Sequence, residues 1–160
     1  MDTTATQYYA KAMANYPWEL DEVIEALNYA LSYDNEHAGA YCLLGRIYSE
    51  QLIDFEDAFY YFEQALLHNI NYINTYYFYS MSLIQYGDFA KAEILLNHGM
   101  KVKGICKACL TQRFALIYEM QGKLLKAKKL LRKAIALSIN NEEIEGFRSD
   151  LKRVKDKIGK

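Results

Sequence analysis

Small residues recur along this chain at a nearly constant interval, and that periodicity constrains the fold more than any other feature of the sequence. Gly45, Ser80 and Ala115 are separated by 35 and 35 residues, and Ala30, Ala65, Gly99 and Ala134 by 35, 34 and 35. Two series with one period imply a structural unit copied along the chain. Within a unit the apolar residues follow helical spacing. Tyr41, Leu44, Ile47 and Tyr48 form one stripe, and Ala58, Phe62, Ala65 and Leu66 form a second. Each period therefore reads as a pair of helices. Gly87-Asp88 and Gln121-Gly122 fall between the members of a pair, where a glycine can take the left-handed conformation that ends a helix.

Composition agrees with an all-helical reading. Of 160 residues, 52% are apolar and 24% charged, enough apolar material for one continuous core in a single domain. Fifteen Tyr and a single Pro argue against a disordered tail and against a many-turned β-sandwich. The N-terminus, MDTTATQYYAKAMANYP, lacks a basic start followed by an apolar run, and no window reaches the roughly 18 uninterrupted apolar residues of a membrane span. A cytoplasmic protein without membrane contact is expected. Three Cys, an odd number, speak against a disulfide framework.

The residues at the repeating positions resemble the tetratricopeptide repeat (TPR), whose pattern sets an aromatic, Leu-Gly and Tyr on a first helix and Ala, Phe and Ala on a second. Residues 38–72 carry Tyr41, Leu44, Gly45 and Tyr48, then Ala58, Phe62 and Ala65. Residues 73–107 carry Tyr76, Tyr79, Ser80 and Leu83, then Gly87, Phe89, Ala92, Leu96 and Gly99. Residues 108–141 carry Phe114, Ala115, Tyr118, Gly122, Leu124, Ala127, Leu131 and Ala134. Residues 4–37 keep Val23, Leu27 and Ala30 on a second helix that Pro17 is expected to open, where a missing backbone donor is harmless. The pattern is departed from twice. The Pro that usually follows the second helix is absent, and the second repeat has one extra residue near Leu52 to Phe55. Residues 142–157 read as a further helix with Ile144, Phe147, Leu151 and Val154 on one face, as the closing element of a repeat stack. The resemblance implies an all-α, right-handed α-α superhelical solenoid of about four TPR-like helix pairs plus a C-terminal capping helix, occupying residues 1–160 as a single domain.

The resemblance also implies where a partner binds, because the first helix of each TPR pair lines a concave groove. The residues it places there are Tyr8 and Ala12, then Cys42, Arg46 and Ser49, then Asn74, Tyr77, Met81 and Ile84, then Gln112, Arg113, Leu116 and Glu119. Aromatic area, an adaptable thioether and an Arg suit a protein or peptide partner. The expected function is that of a protein-interaction module or adaptor, with no catalysis, no cofactor and no metal. Some TPR proteins hold a chaperone's C-terminal carboxylate with Lys, Asn and Arg drawn from three consecutive first helices. The matching positions are Tyr8, Ala12, Leu43, Asn74 and Phe78 in one register, and Cys42, Arg46, Phe78, Cys109 and Arg113 in the next. Only the two Arg could grip a carboxylate, so a chaperone clamp is disfavoured.

Charge is distributed unevenly along the chain. Residues 1–100 hold three basic against fourteen acidic side chains, net −11, and residues 101–160 hold sixteen against six, net +10. Lys126, Lys129 and Lys133 form one stripe of the run KLLKAKKLLRK, and with Lys152, Arg153, Lys155 and Lys157 they offer an alternative basic face for an acidic partner. A nucleic acid is the less favoured acidic partner there, since no stacking aromatics are interleaved with the lysines. The opposite charges of the two ends also allow head-to-tail self-association.

Cys106 and Cys109 stand three apart and could share a metal or form a redox pair. A closed zinc site needs four ligands, however, and a thioredoxin-like site needs a βαβ context, so buried packing is the expected role. His37, His68 and His98 fall near the expected ends of second helices, where an imidazole can cap carbonyls.

Overall fold

Helices form where the period places them. The computed structural model describes residues 3–159, and among these the chain forms nine α-helices and no strand. They are α1 Thr3–Asn15, α2 Leu20–Tyr33, α3 Ala38–Ile47, α4 Phe55–His68, α5 Ile73–Tyr86, α6 Phe89–Gly99, α7 Lys107–Met120, α8 Leu124–Leu137 and α9 Asn141–Ile158. None is long and apolar enough to cross a membrane. Side-chain caps satisfy otherwise orphaned amides at several starts. Asp54 accepts from the Asp57 N–H, Asp88 from that of Lys91, and Asn140 from those of Glu142 and Glu143. Two local expectations are corrected. The helix expected to open at Pro17 starts at Leu20, with Pro17 in the preceding turn after a cis peptide bond. His37 belongs to the start of a first helix, because its Nδ1 accepts a hydrogen bond from Ala40 N at 3.0 Å; it caps an amide of α3 and not a carbonyl of α2.

The chain packs as two compact units, residues 1–82 and 83–160, with the boundary inside α5. In the first unit α1 lies against α2 and α3 against α4, and Ala12, Val23, Leu27, Ala30, Leu44 and Ile47 close a continuous apolar core. The small residues of the repeat set the helix separation. A Cβ added at Gly45 would stand only 2.8 Å from the Phe62 ring, so α3 and α4 touch through a bare backbone. In the second unit α7 lies on α8 and α8 on α9; Ala115, Ala127, Leu131 and Val154 form one apolar cluster and Ala108, Ala134 and Phe147 another. The second-helix signature residues Ala58, Phe62, Ala65, Ala92, Leu96, Ala127, Leu131 and Ala134 are all buried.

The extra residue of the second repeat is taken up at the end of α3. Residues Tyr48–Leu52 widen into a single π-turn, which accommodates one more residue per turn than an α-helix. The chain then reverses at Ile53, the only non-glycine with positive φ among the described residues, at φ 55°. In later repeats the residue just before the second-helix N-cap is Gly87 (φ 96°) or Gly122 (φ 73°). A branched side chain in this region is disfavoured by about 1–2 kcal/mol, and Ile53 is 64% exposed, so little packing offsets that cost. Replacing Ile53 with Gly is expected to stabilise the protein by about 1 kcal/mol after the greater unfolded-state freedom of Gly is subtracted. The check is a thermal midpoint raised by about 2–4 °C; a lowered midpoint would mean that the exposed side chain is held by contacts of greater value.

Candidate functional site

The first helices α1, α3 and α5 and the turns beside them bring two groups of polar and aromatic side chains together within residues 1–82. The Arg46 guanidinium lies over two rings, 4.8 Å from the centroid of Tyr16 and 4.3 Å from that of Phe78. Glu50, one helical turn on, fixes it there. A single oxygen, Oε2, accepts from Arg46 Nε at 2.9 Å and from the Tyr16 hydroxyl at 2.9 Å. Contact with two rings and a carboxylate holds the guanidinium in one place. The Arg46 side chain keeps 31% of its surface and Glu50 36%, so the pair is accessible and already neutralised. One α1 heptad away from Tyr16, the Tyr9 hydroxyl lies 3.2 Å from that of Tyr72, and Asn74 Nδ2 reaches the same Tyr72 oxygen at 3.5 Å. Burial, with help from Tyr72, holds the Tyr9 phenol protonated far above its ordinary range, so it acts as a neutral hydrogen-bonding group.

The expected groove residues are placed unequally. Arg46 is in the first of these groups and Asn74 is in the second, while Tyr77 and Met81 are half-buried on α5. Tyr8 is part of neither: its ring stacks on Tyr29 and Tyr33 of α2 at 5.2 and 5.9 Å, and the neighbouring Tyr9 takes the place expected for it. Ala12, Cys42, Ser49 and Ile84 are core residues. Cys42 is 3% exposed, and burial pushes its thiol up to about 12 although Thr75 and Arg46 pull the other way, which makes it an inert packing group. Tyr16 and Phe78, which the groove reading left out, hold Arg46. Tyr9 and Tyr16 are seven residues apart, as are the fully buried Ala5 and Ala12, and that parallel spacing is the signal for the face.

In residues 83–160 two of the expected groove residues of α7, Gln112 and Glu119, are engaged by α9. Gln112 Nε2 donates to Asp150 Oδ2 at 2.7 Å, and the half-buried Arg113 donates to Gln112 Oε1 at 3.4 Å. Burial lowers the Arg113 pKa, opposed by the charge of Asp150. Glu119, whose side chain is 4% exposed, receives Arg153 through both of its oxygens at 2.9 and 2.8 Å and Lys157 at 2.7 Å. Two cations of the expected basic patch are thus spent on an internal carboxylate. Lys126 also lies over the Tyr118 ring, 3.7 Å from its centroid. Lys129, Lys133, Lys152 and Lys155 remain exposed. Two histidines expected near helix ends are found there. His68 is in the last turn of α4, stacked on Tyr41 at 5.4 Å, and His98 is in the last turn of α6.

Helix pairs recurring at one sequence period, with a closing helix after the last, define the tetratricopeptide-repeat fold. Solved structures agree. The chain superposes on pilF of Pseudomonas aeruginosa with a TM-score of 0.80 at 15% identity, over 96% of this chain and 70% of that one. It matches TTC0263, a thermophilic TPR protein of Thermus thermophilus, with a TM-score of 0.74 at 15% identity, covering 95% and 81%. MamA (41-end) of Desulfovibrio magneticus RS-1 gives 0.71 at 15%, covering 98% and 96%. No protein-family model matches the sequence, and no curated protein matches it.

Proposed function

We propose that the chain is a protein-interaction module that holds a peptide segment on the first-helix face of residues 1–82. The observation that carries this reading is the Tyr16–Arg46–Phe78 cluster with Glu50 bound to it, since a rigid aromatic and guanidinium surface loses little freedom when a ligand covers it. Because Arg46 is already paired, the face suits apolar and hydrogen-bonding peptide groups better than a free carboxylate. The surrounding charge adds a preference. Residues 1–82 hold two basic and twelve acidic side chains, a net −10, which favours a peptide with basic flanks. Catalysis is not required to account for any residue of the face.

The test is a peptide selected from a display library against the full chain, with its affinity measured by calorimetry for the wild type and for the Arg46→Glu, Tyr77→Ala double variant. The expected result is a loss of about thirtyfold or more with helicity retained. Equal affinity in a folded variant would rule the face out. A second reading, an acidic partner on the exposed Lys129, Lys133, Lys152 and Lys155, draws on the net +9 of residues 83–160, where seventeen basic face eight acidic side chains. It requires an affinity that falls steeply with salt and with Lys129→Glu, Lys133→Glu, and that ignores the Arg46 variant. Head-to-tail self-association has its own readout, a sedimentation coefficient that rises with protein concentration at low salt only.

A further inference from the structure

We infer that Cys106, Cys109 and Glu143 form a binding site for a zinc-class divalent ion, a role separate from the peptide-binding reading and independent of it. The sequence shows two donors; the fold supplies the third. One ligand atom from each residue lies within 4.8 Å of the others, although Glu143 is 37 residues from Cys106 and belongs to a different helix. The Cys109 sulfur lies 3.5 Å from Glu143 Oε1, and the Cys106 sulfur lies 3.7 Å from each carboxylate oxygen. Two thiolates and a carboxylate converging from two elements are a donor set that suits zinc, with a fourth position left for water or another small ligand.

The surroundings orient these donors. Cys106 is the N-cap of α7, where the helix terminus favours negative charge, and its sulfur accepts from the Cys109 N–H at 3.2 Å. Glu143 is turned towards the cysteines in an unexpected way. Asn140 and Glu143 have the spacing of a capping box, in which the Glu carboxylate would fold back onto the N-cap amide. Here Asn140 accepts from the Glu142 and Glu143 amides, but its own N–H is taken by Ser138 Oγ at 3.1 Å. The Glu143 carboxylate is released from the cap and points at the sulfurs. Ser138 then donates to Glu143 Oε2 at 2.6 Å, the kind of outer hydrogen bond that fixes a ligating carboxylate. All three donors are half-buried, open to ion entry yet partly shielded from water.

Binding exchanges protons for the ion: two thiols and one carboxylate take up one divalent cation and release two protons. In the structure the same two sulfurs are paired as a disulfide, with Cα atoms 5.3 Å apart, so the ion is taken up only after a thiol or phosphine reductant has supplied two electrons and two protons have restored the thiols. Oxidation and metal binding therefore compete for one pair of thiols. The experiment uses the full chain reduced with a phosphine and freed of metal, titrated with zinc chloride, and with cobalt chloride as the spectroscopic reporter. The expected result is one ion per chain, about two protons released per ion in weak buffer, and a thiolate-to-cobalt charge-transfer band. Cys109→Ser should abolish the band, Glu143→Gln should weaken zinc binding by about tenfold or more, and Ser138→Ala by about tenfold, each with unchanged helicity. Uptake indifferent to these substitutions would overturn the proposal. So would a reduced protein that takes up no zinc at micromolar concentrations, including one whose cysteines merely cycle between dithiol and disulfide.

Discussion

Replacing Gly45 with Val is expected to lower stability by about 3 kcal/mol, and even Gly45→Ala by about 1–2 kcal/mol. The Ala variant is informative because intrinsic propensity predicts the opposite sign, Ala being the better helix former by about 1 kcal/mol. Packing decides. The new Cβ would meet three atoms of the Phe62 ring at 2.8–2.9 Å, and the ring has no room to retreat. Phe62 is fully buried and stacks on Tyr79 at 5.1 Å, while the Tyr79 hydroxyl is anchored by donating to Glu63 at 3.0 Å. Denaturant unfolding of Gly45→Ala, Phe62→Leu and the double variant forms a cycle. The Leu variant loses ring packing by itself but should relieve the clash, giving a coupling energy of about 1 kcal/mol or more. Additive losses would show that the close crossing of α3 and α4 is not what Gly45 provides.

The second large effect is expected from Glu119. Changing it to Ala should cost about 2–3 kcal/mol at neutral pH and release α9, because hydrogen bonds between charged groups at a nearly buried carboxylate are among the stronger ones. The figure is kept below that of a fully buried triad because Arg153 and Lys157 are about half exposed and can return to water. Hydrogen exchange is the sensitive readout. Amides of α9 should exchange faster in the variant, with those of α7 and α8 less affected. The pH dependence has a definite sign. Hydrogen bonds from Arg153 hold the Glu119 carboxyl below its ordinary range, against the opposing effect of burial, and Lys157 adds to the pull. A carboxylate with a depressed folded-state pKa stabilises above its unfolded value, near 4.5, and loses that contribution as the pH falls through the folded value. Wild-type protection of α9 should therefore decline below about pH 4.5, and Glu119→Gln should flatten that decline. An equally steep acid loss in the Gln variant would assign it to other carboxylates.

The architecture was legible because burial in a repeat is periodic. Gly45 and Ala115 lie where paired helices pack and Ser80 is buried at the same period, Gly87 and Gly122 have the positive φ their turns demand, and the extra residue near Leu52 appears as a local widening of one helix. The side-chain placements around the candidate site are less legible, for three physical reasons. A shift of one residue rotates a side chain by about 100° around a helix, so a first helix without a strong signature gave Tyr8 in place of Tyr9. Charge pairs between distant helices leave no local trace: nothing around Glu119 indicates that Arg153 and Lys157 will reach it, and those cations read as free. Local grammar can also mislead, as at Asn140 and Glu143, where a capping-box spacing hides a carboxylate aimed at two sulfurs in another helix.

The π-turn at Tyr48–Leu52 bears on how such an array can change length. A residue added inside a straight helix would throw every later side chain out of phase with its neighbours. Here the surplus is confined to one wide turn and one exposed reversal, and α4 begins at Phe55 with its Asp54 N-cap intact. The junction acts as an expansion joint: insertions and deletions can be absorbed between the two helices of a pair while both packing faces stay in register.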